Sequence, residues 1–321
     1  MSIWQTQSWQ DMLIASGQSE EYFMIERDIE NAEWNDYGPV FVEKRRVSLW
    51  EFGLFVIGLE WEYDEDLQES LEELCKEEKC LFLQVETIDY SMEPLSFSKE
   101  ENSSVDSNKE NILNNKYYKK FIPPYTALID LTQSEAEILA AMKPKGRYNI
   151  KLARKKWVVV EQVESHLGNI TKFHELMSET TTRNNFAWNS LKYYQNFLES
   201  LSNSQMMFAY HEWEVVAAGI FVVQADVMTY YYGASTNGEK RKIMPTYLLQ
   251  WTAIEHAIKR GCKMYDFLGV AGDNEVNSSL GWVTDFKMKL SPKKILVSQS
   301  YLFVNKKMNY RLIQILRKLR W

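Results

Sequence analysis

Between Met206 and Ala234 the chain runs through three strand-like segments almost without pause, and this limits the folds open to it more than any other feature. Met206–His211, Val215–Gln224 and Val227–Ala234 are dense in β-branched and aromatic residues. The few residues between them leave room only for hairpin turns, so the three form a meander in one sheet. Around the meander the pattern is helical. Thr171–Thr182 and Leu191–Leu201 precede it, and Pro245–Arg260 follows, with proline at the entry position that helices favour. A further strand, Lys263–Phe267, comes next. Upstream, Thr126–Leu131 reads as a strand, Ser134–Met142 and Gly146–Lys156 as helices parted by Pro144, and Val158–Val163 as a strand. Ile295–Tyr301 reads as a strand and Asn309–Leu319 as a closing helix.

The first part of the chain has a similar order. Tyr22–Asp28, Val40–Leu49 and Phe52–Leu59 read as strands. Asp64–Lys79 is a helix with Leu67, Leu71 and Leu74 on one face, and Leu81–Glu86 is a buried strand. Residues 95–117 are polar and are expected to be a mobile loop. The 321 residues have room for two units. The expected class is α/β (α+β), with mixed sheets flanked by helices. The second unit is expected to start at Tyr125.

Composition narrows the function. A net charge of −7 argues against DNA as a partner. Basic residues nevertheless gather in two places, Lys143–Lys156 and Lys306–Arg320, either as solvated helix faces or as local contacts for RNA or an anionic surface. No apolar run is long enough for a membrane span, and the first residues lack the pattern of a signal peptide, so a cytoplasmic protein is expected. Three cysteines without paired spacing fit reduced thiols. The four histidines show no metal-ligand spacing, and no cofactor motif is present.

Several strings, taken in order, resemble the FemABX family of non-ribosomal peptidyltransferases. They are Thr126-Ala-Leu-Ile-Asp130-Leu-Thr132, the segment Met142–Lys156, Glu179 to Arg183 followed by Tyr193-Tyr194, Tyr230-Tyr-Tyr232-Gly-Ala-Ser235, Tyr265-Asp-Phe-Leu-Gly-Val270 and Asp285-Phe-Lys287. The resemblance covers nearly the whole chain and is to the shorter members without a helical arm. It implies two GNAT-like subdomains, 1–124 completed by the returning C-terminal helix 300–321, and 125–299, with aminoacyl-tRNA as donor and a peptidoglycan precursor as acceptor, either a lipid-linked or a UDP-linked muropeptide. It also implies residue roles. Lys287, in the matched Phe286-Lys287 pair, would be the cation near the reacting carbonyl; on the residues alone it is one of four lysines with Lys289, Lys293 and Lys294. Glu86 matches a carboxylate facing the site, and is otherwise an ordinary strand-end acid.

Tyr193, Tyr230 and Tyr232 match aromatic positions lining the acceptor groove. Strand alternation puts Tyr230 and Tyr232 on one face. Lys145, Arg147, Lys151, Arg154 and Lys155 are the candidates for RNA phosphate contacts. The chain departs from the pattern of members that use the soluble UDP precursor. Asp11, two residues after Trp9, and Asn189, four before Tyr193, stand where phosphate-binding cations are expected. A lipid-linked acceptor, with peripheral contact at the inner membrane face, is favoured by that departure. Two other readings stay open: an acyl-CoA-dependent GNAT N-acyltransferase, which the lack of spaced glycines in Asn237–Pro245 disfavours, and a non-catalytic binding homologue.

The tryptophans are unusual. There are 11, against only 13 glycines. Trp157 follows a helix end, Trp213 sits in a tight turn between two strands, and Trp188 and Trp282 lie in stretches read as loops. In FemABX relatives these four places are usually glycine or another turn residue, whereas Trp9 and Trp251 match family tryptophans. Either the protein is simply rich in tryptophan, or its gene uses UGA for glycine and glycine is the natural residue at 157, 188, 213 and 282; the second reading expects positive φ or unpacked indoles at Trp157 and Trp213.

Overall fold

The computed structural model describes residues 2–26, 38–60, 63–90, 117–184, 187–272, 278, 280–291 and 293–319. Nearly all of the loop expected over 95–117 lies outside them, as does the end of the strand expected over 22–28. The chain divides into two compact units, 1–124 with 297–321, and 125–296.

Unit 1 holds β1 (Glu21–Ile25), β2 (Val40–Arg46), β3 (Phe52–Leu59), β4 (Phe82–Thr87) and β12 (Ser300–Val304) in one sheet, in that spatial order. The first three pair antiparallel, β3 and β4 pair parallel, and β12 closes the edge antiparallel to β4. A parallel neighbour needs a crossover. Here it is helix α2 (Glu65–Glu77), capped by the Asp64 side chain and burying Leu67, Leu71 and Cys75 on the sheet. Helix α1 (Gln7–Ala15), capped by Thr6, buries Trp9, Met12 and Leu13. The C-terminal helix, Lys307–Leu319, also belongs to this unit.

Unit 2 repeats the scheme. Among the described residues its sheet has seven strands, in the order β11 (Lys293–Leu296), β5 (Tyr125–Asp130), β10 (Met264–Asp266), β9 (Val227–Ser235), β8 (Glu214–Gln224), β7 (Ser204–His211) and β6 (Val159–Val163). β7, β8 and β9 are the antiparallel meander. Helix α7 (Pro245–Lys259) crosses over to β10, which pairs parallel with β9 and antiparallel with β5. The other helices are α3 (Glu135–Ala141), α4 (Pro144–Lys155), α5 (Leu167–Asn184), α6 (Leu191–Ser200) and α8 (Gly281–Leu290). The class is thus mixed α/β, with two mixed sheets flanked by helices.

Three expectations need correction. The strand expected over Ile295–Tyr301 is two strands: β11 pairs with β5 and β12 with β4, in different sheets, because the chain leaves unit 2 at this point. No helix was expected over Gly281–Leu290, where α8 stands, and Trp282 lies in its first turn rather than in a loop. Nor does alternation hold through Tyr230–Tyr232. The register shifts between Ile220, opposite Tyr232, and Phe221, opposite Tyr230, so Tyr231 is an extra residue. The bulge sends Tyr230 to the α7 side, against Phe221 and the core, and Tyr232 to the α6 side, against Tyr194 and Phe197.

Candidate functional site

Lys287 is placed by α8, and α8 is held by its neighbours. The Lys143 backbone N–H, just before α4, donates to the Lys289 carbonyl at 3.1 Å. Gly146 permits that approach, since a Cβ there would stand 2.2 Å from the same oxygen. The Thr284 hydroxyl accepts from the Ala271 N–H at 2.7 Å, tying α8 to the chain that leaves β10. Phe286 packs edge-on against Tyr247 of α7, with ring centroids 5.0 Å apart, and so anchors the helix in the core.

Lys287 itself is 7% exposed. Its ammonium donates to the carbonyls of Leu268 and Gly269, the latter at 2.8 Å. Those carbonyls are turned by two residues with positive φ, Leu268 at 53° and Gly269 at 31°. Asp266 sets up the turn: its buried carboxylate accepts from the Thr126 hydroxyl at 2.5 Å and the Leu268 N–H at 2.7 Å. Burial pushes the Lys287 ammonium down to about 7, and the Asp266 charge opposes that shift. The outcome is a desolvated cation at the carboxyl end of β10, held by carbonyl dipoles. Such a group can stabilise charge that develops on an oxygen.

The tyrosines split between two environments. The Tyr193 and Tyr232 hydroxyls are 2.9 Å apart, and the Asn189 amide donates to the Tyr232 hydroxyl at 3.4 Å. These three form one polar cluster at the start of α6, which Ser190 caps. Tyr230 is half-buried on the other side of the sheet, packed against the core there, and loss of solvent holds its phenol well above the usual range. It does not join Tyr193 and Tyr232, contrary to the same-face expectation.

Glu86 lies in unit 1, on β4. Its carboxylate accepts from the backbone N–H of Phe121 at 3.1 Å and of Ile122 at 2.7 Å, and from the Gln84 amide at 2.7 Å. Burial pushes the carboxyl up to about 7 against those three donors. With both oxygens engaged, its evident work is to clasp the segment at 118–122 onto β4, a task it shares with Gln84, which accepts from the Tyr118 N–H at 2.9 Å.

The basic segment on α4 is only partly free. Arg147 donates to the carbonyls of Ala140 and Met142 and so caps α3. Arg154 pairs with Glu255 of α7 at 3.1 Å. Lys145, Lys151 and Lys155 are exposed, and so is Tyr148, three residues from both Lys145 and Lys151. Sequence reasoning passed over Tyr148, although an aromatic interleaved with lysines at helical spacing is a recognisable signal for base stacking beside phosphate contacts.

Comparison with known proteins gives four findings. The sequence model of the FemAB family matches residues 62–212 and 200–318. The aminoacyltransferase FemA of Staphylococcus epidermidis is 28% identical over 105 residues, which are 33% of this chain and 25% of that protein, so the match spans a quarter of the relative's length. The crystal structure of FemX shares the fold, with a TM-score of 0.73 at 16% identity, covering 97% of this chain and 94% of that one. The structure of L-PGS from Bacillus licheniformis shares the fold at a TM-score of 0.55 and 12% identity, covering 97% of this chain and 91% of that one.

Proposed function

The chain belongs to the FemAB family, and we propose that it is an aminoacyltransferase that moves an amino acid from aminoacyl-tRNA to the stem peptide of a peptidoglycan precursor. The observation that carries this reading is the buried Lys287 ammonium at the end of β10, fixed by the carbonyls of Leu268 and Gly269. In the reaction the acceptor amine attacks the ester carbonyl of the charged tRNA. A carbon–nitrogen bond forms and the carbon–oxygen bond to the ribose breaks. The amine loses a proton and the ribose oxygen gains one. The charge that must be stabilised is the oxyanion of the tetrahedral intermediate. A cation already stripped of water needs no reorganisation to meet it.

Donor affinity is assigned to Lys145, Lys151 and Lys155, with Tyr148 as a stacking surface; phosphate contacts of this kind give affinity without reading sequence. Arg147 and Arg154 are assigned structural roles. The hydroxyls of Tyr193 and Tyr232, with Asn189, are the acceptor contacts. Asp11 and Asn189 leave the diphosphate of a UDP-linked precursor without cations at those places, so the lipid-linked form is the proposed acceptor.

An acyl-CoA reading is weakened by the start of α7. Its first helical residue is Pro245, which has no N–H, and the preceding turn Gly238–Ile243 is packed with Glu239, Lys240, Arg241 and Lys242 instead of spaced glycines. A pyrophosphate cradle needs those amides. The test is incubation with a total charged-tRNA pool and either precursor, followed by mass spectrometry. A precursor that gains one amino-acid residue only when the tRNA is charged supports the reading; no gain with either precursor overturns it.

A further inference from the structure

Helix α9 (Lys307–Leu319) divides its surface three ways. Tyr310 is buried against unit 1, stacked edge-on with Phe82, and Arg317 donates to the Tyr118 carbonyl. Met308, Leu312, Ile315 and Leu316 share another arc, at spacings of four, three and one, and all are exposed, Met308 by 82%. Lys307 and Arg311 flank that arc in the open, and the helix contains no acidic residue. A second apolar element sits beside it. Glu51 binds Lys306 at 2.9 Å and Asn309 at 2.6 Å, which ties the β2–β3 turn to the start of α9. That turn displays Leu49 and Trp50, the latter 87% exposed.

We infer that α9 and the Leu49–Trp50 turn form a docking face for an anionic lipid surface. Side chains of this size left in water gain from entering an apolar layer. A bare apolar face would suit any partner, but the flanking cations beside an acid-free helix complement anionic headgroups. An exposed tryptophan at the edge is the residue type that membrane–water boundaries favour. The inference rests on the lipid-linked reading only for its purpose; it is tested with vesicles that contain no acceptor, so its failure leaves the transfer reaction standing.

The test is co-sedimentation of the full chain with vesicles of phosphatidylcholine alone or mixed with phosphatidylglycerol. Binding is expected only to the mixed vesicles and should weaken with salt. Replacing Leu312, Ile315 and Leu316 together by Gln should weaken it by about a hundredfold, from the apolar area withheld. These positions are exposed, so the melting temperature should not move. Equal binding to neutral vesicles, or none to either, overturns the inference. So does concentration-dependent self-association that the triple variant abolishes, since the face would then belong to a second copy.

A separate observation concerns two tryptophans. The Val158 N–H donates to the Ala153 carbonyl at 3.1 Å and the Trp157 N–H to that of Arg154 at 3.0 Å, the paired bonds of a helix end whose next residue turns left-handed. That residue is Trp157, with φ 59° and 85% exposure. Helices α1 and α7 place Gly17 and Gly261 in the matching position; α2 places Lys79 there, a side chain at home in water. Trp213 follows Glu212 in the two-residue turn between β7 and β8, both with positive φ, where the second residue is most often glycine. It is 98% exposed. Each tryptophan therefore bears backbone strain and withdraws almost no apolar surface from water. Trp9 and Trp251 are buried, and Trp50, Trp188 and Trp282 have ordinary φ.

The geometry points to glycine as the natural residue at 157 and 213. The codon UGA is read as tryptophan in some genetic codes and as glycine in others, and translation under the wrong one would give this chain. The test is the gene together with peptide masses of the protein from its own source. UGA at 157 and 213, UGG at 9 and 251, and peptides lighter by the exchange are expected. UGG codons at 157 and 213 overturn it. In the chain as it stands, Trp157→Gly and Trp213→Gly should each raise the melting temperature by roughly 3 °C; no rise in either also counts against it.

Discussion

Lys287→Met separates the chemical role of the ammonium from its structural one, because methionine has nearly the same length and no charge. If the ammonium meets the oxyanion, its loss should lower the transfer rate by roughly two to three orders of magnitude, the scale of removing one preorganised donor. The pH dependence sharpens this. The Lys287 ammonium is held down to about 7 from the usual 10.5. Transfer by the wild type should therefore fall as pH rises through about 7, while the residual rate of the variant should lack that limb. Stability should move oppositely. A lysine whose folded pKa is depressed binds fewer protons folded than unfolded between about 7 and 10.5, so stability rises with pH across that window. The slope from one proton is at most about 1.4 kcal/mol per pH unit. Between pH 7 and 9 the wild type should gain about 2–3 kcal/mol that the variant does not. Single-turnover transfer from charged tRNA and urea unfolding at the two pH values supply both readouts. A variant with near wild-type turnover and an unchanged rate limb refutes the role.

Other outcomes follow from the same geometry. Lys145, Lys151 and Lys155 changed together to Glu should raise the Michaelis constant for charged tRNA with a steep salt dependence, whereas Arg147→Ala should instead lower stability by about 1–2 kcal/mol through the uncapped α3 carbonyls; an equal effect of both on tRNA affinity would contradict the division. Glu86→Ala, which leaves the Phe121 and Ile122 amides without their acceptor, should cost about 3 kcal/mol in unfolding experiments, while transfer per folded molecule stays within about tenfold; loss of turnover without loss of stability would make Glu86 a catalytic group after all. In competition, the lipid-linked precursor should displace the UDP-linked one, and a preference for the soluble form would refute the reading of Asp11 and Asn189. Immobilised coenzyme A should not retain the protein; retention that free coenzyme A reverses would revive the acyl-CoA reading.

The meander and the strands around it were legible because β-branched and aromatic runs with short gaps admit few alternatives. Pro245 fixed a helix entry for the same kind of reason, whereas Pro144, read as the break between two helices, is the first residue of α4. Helix α1 was missed although its signal was present, with Thr6 as the cap and Trp9 and Leu13 one turn apart on the buried side. Helix α8 was harder. Its opening Gly281, followed by Val283 and Thr284, argues against a helix by propensity, and packing on α4 through Gly146 overrides this. The facing of Tyr230 could not be read from its own strand, because the bulge is a count of residues against β8. Likewise Arg147 looked like its neighbours in the basic segment; only the placement of the α3 carbonyls sets it apart. At Trp157 and Trp213, by contrast, local rules about helix ends and hairpin turns foretold the backbone geometry.

The division of the chain has a consequence for synthesis. Unit 2 is one continuous stretch, whereas unit 1 is closed by residues 297–321. The bond from Thr87 to Gln299 spans 212 positions, and β12 covers the edge of β4 only once the whole of unit 2 has been made. The part that leaves the ribosome first is thus the last to be finished. Until then β4 presents an unpaired edge, the kind of template on which chains aggregate. Unit 2 can fold meanwhile on contacts within its own length, and doing so brings the two ends of unit 1 together by shortening the loop between them. A lesion in unit 2 that slows its folding should therefore show first as misassociation of unit 1, far from the altered residue.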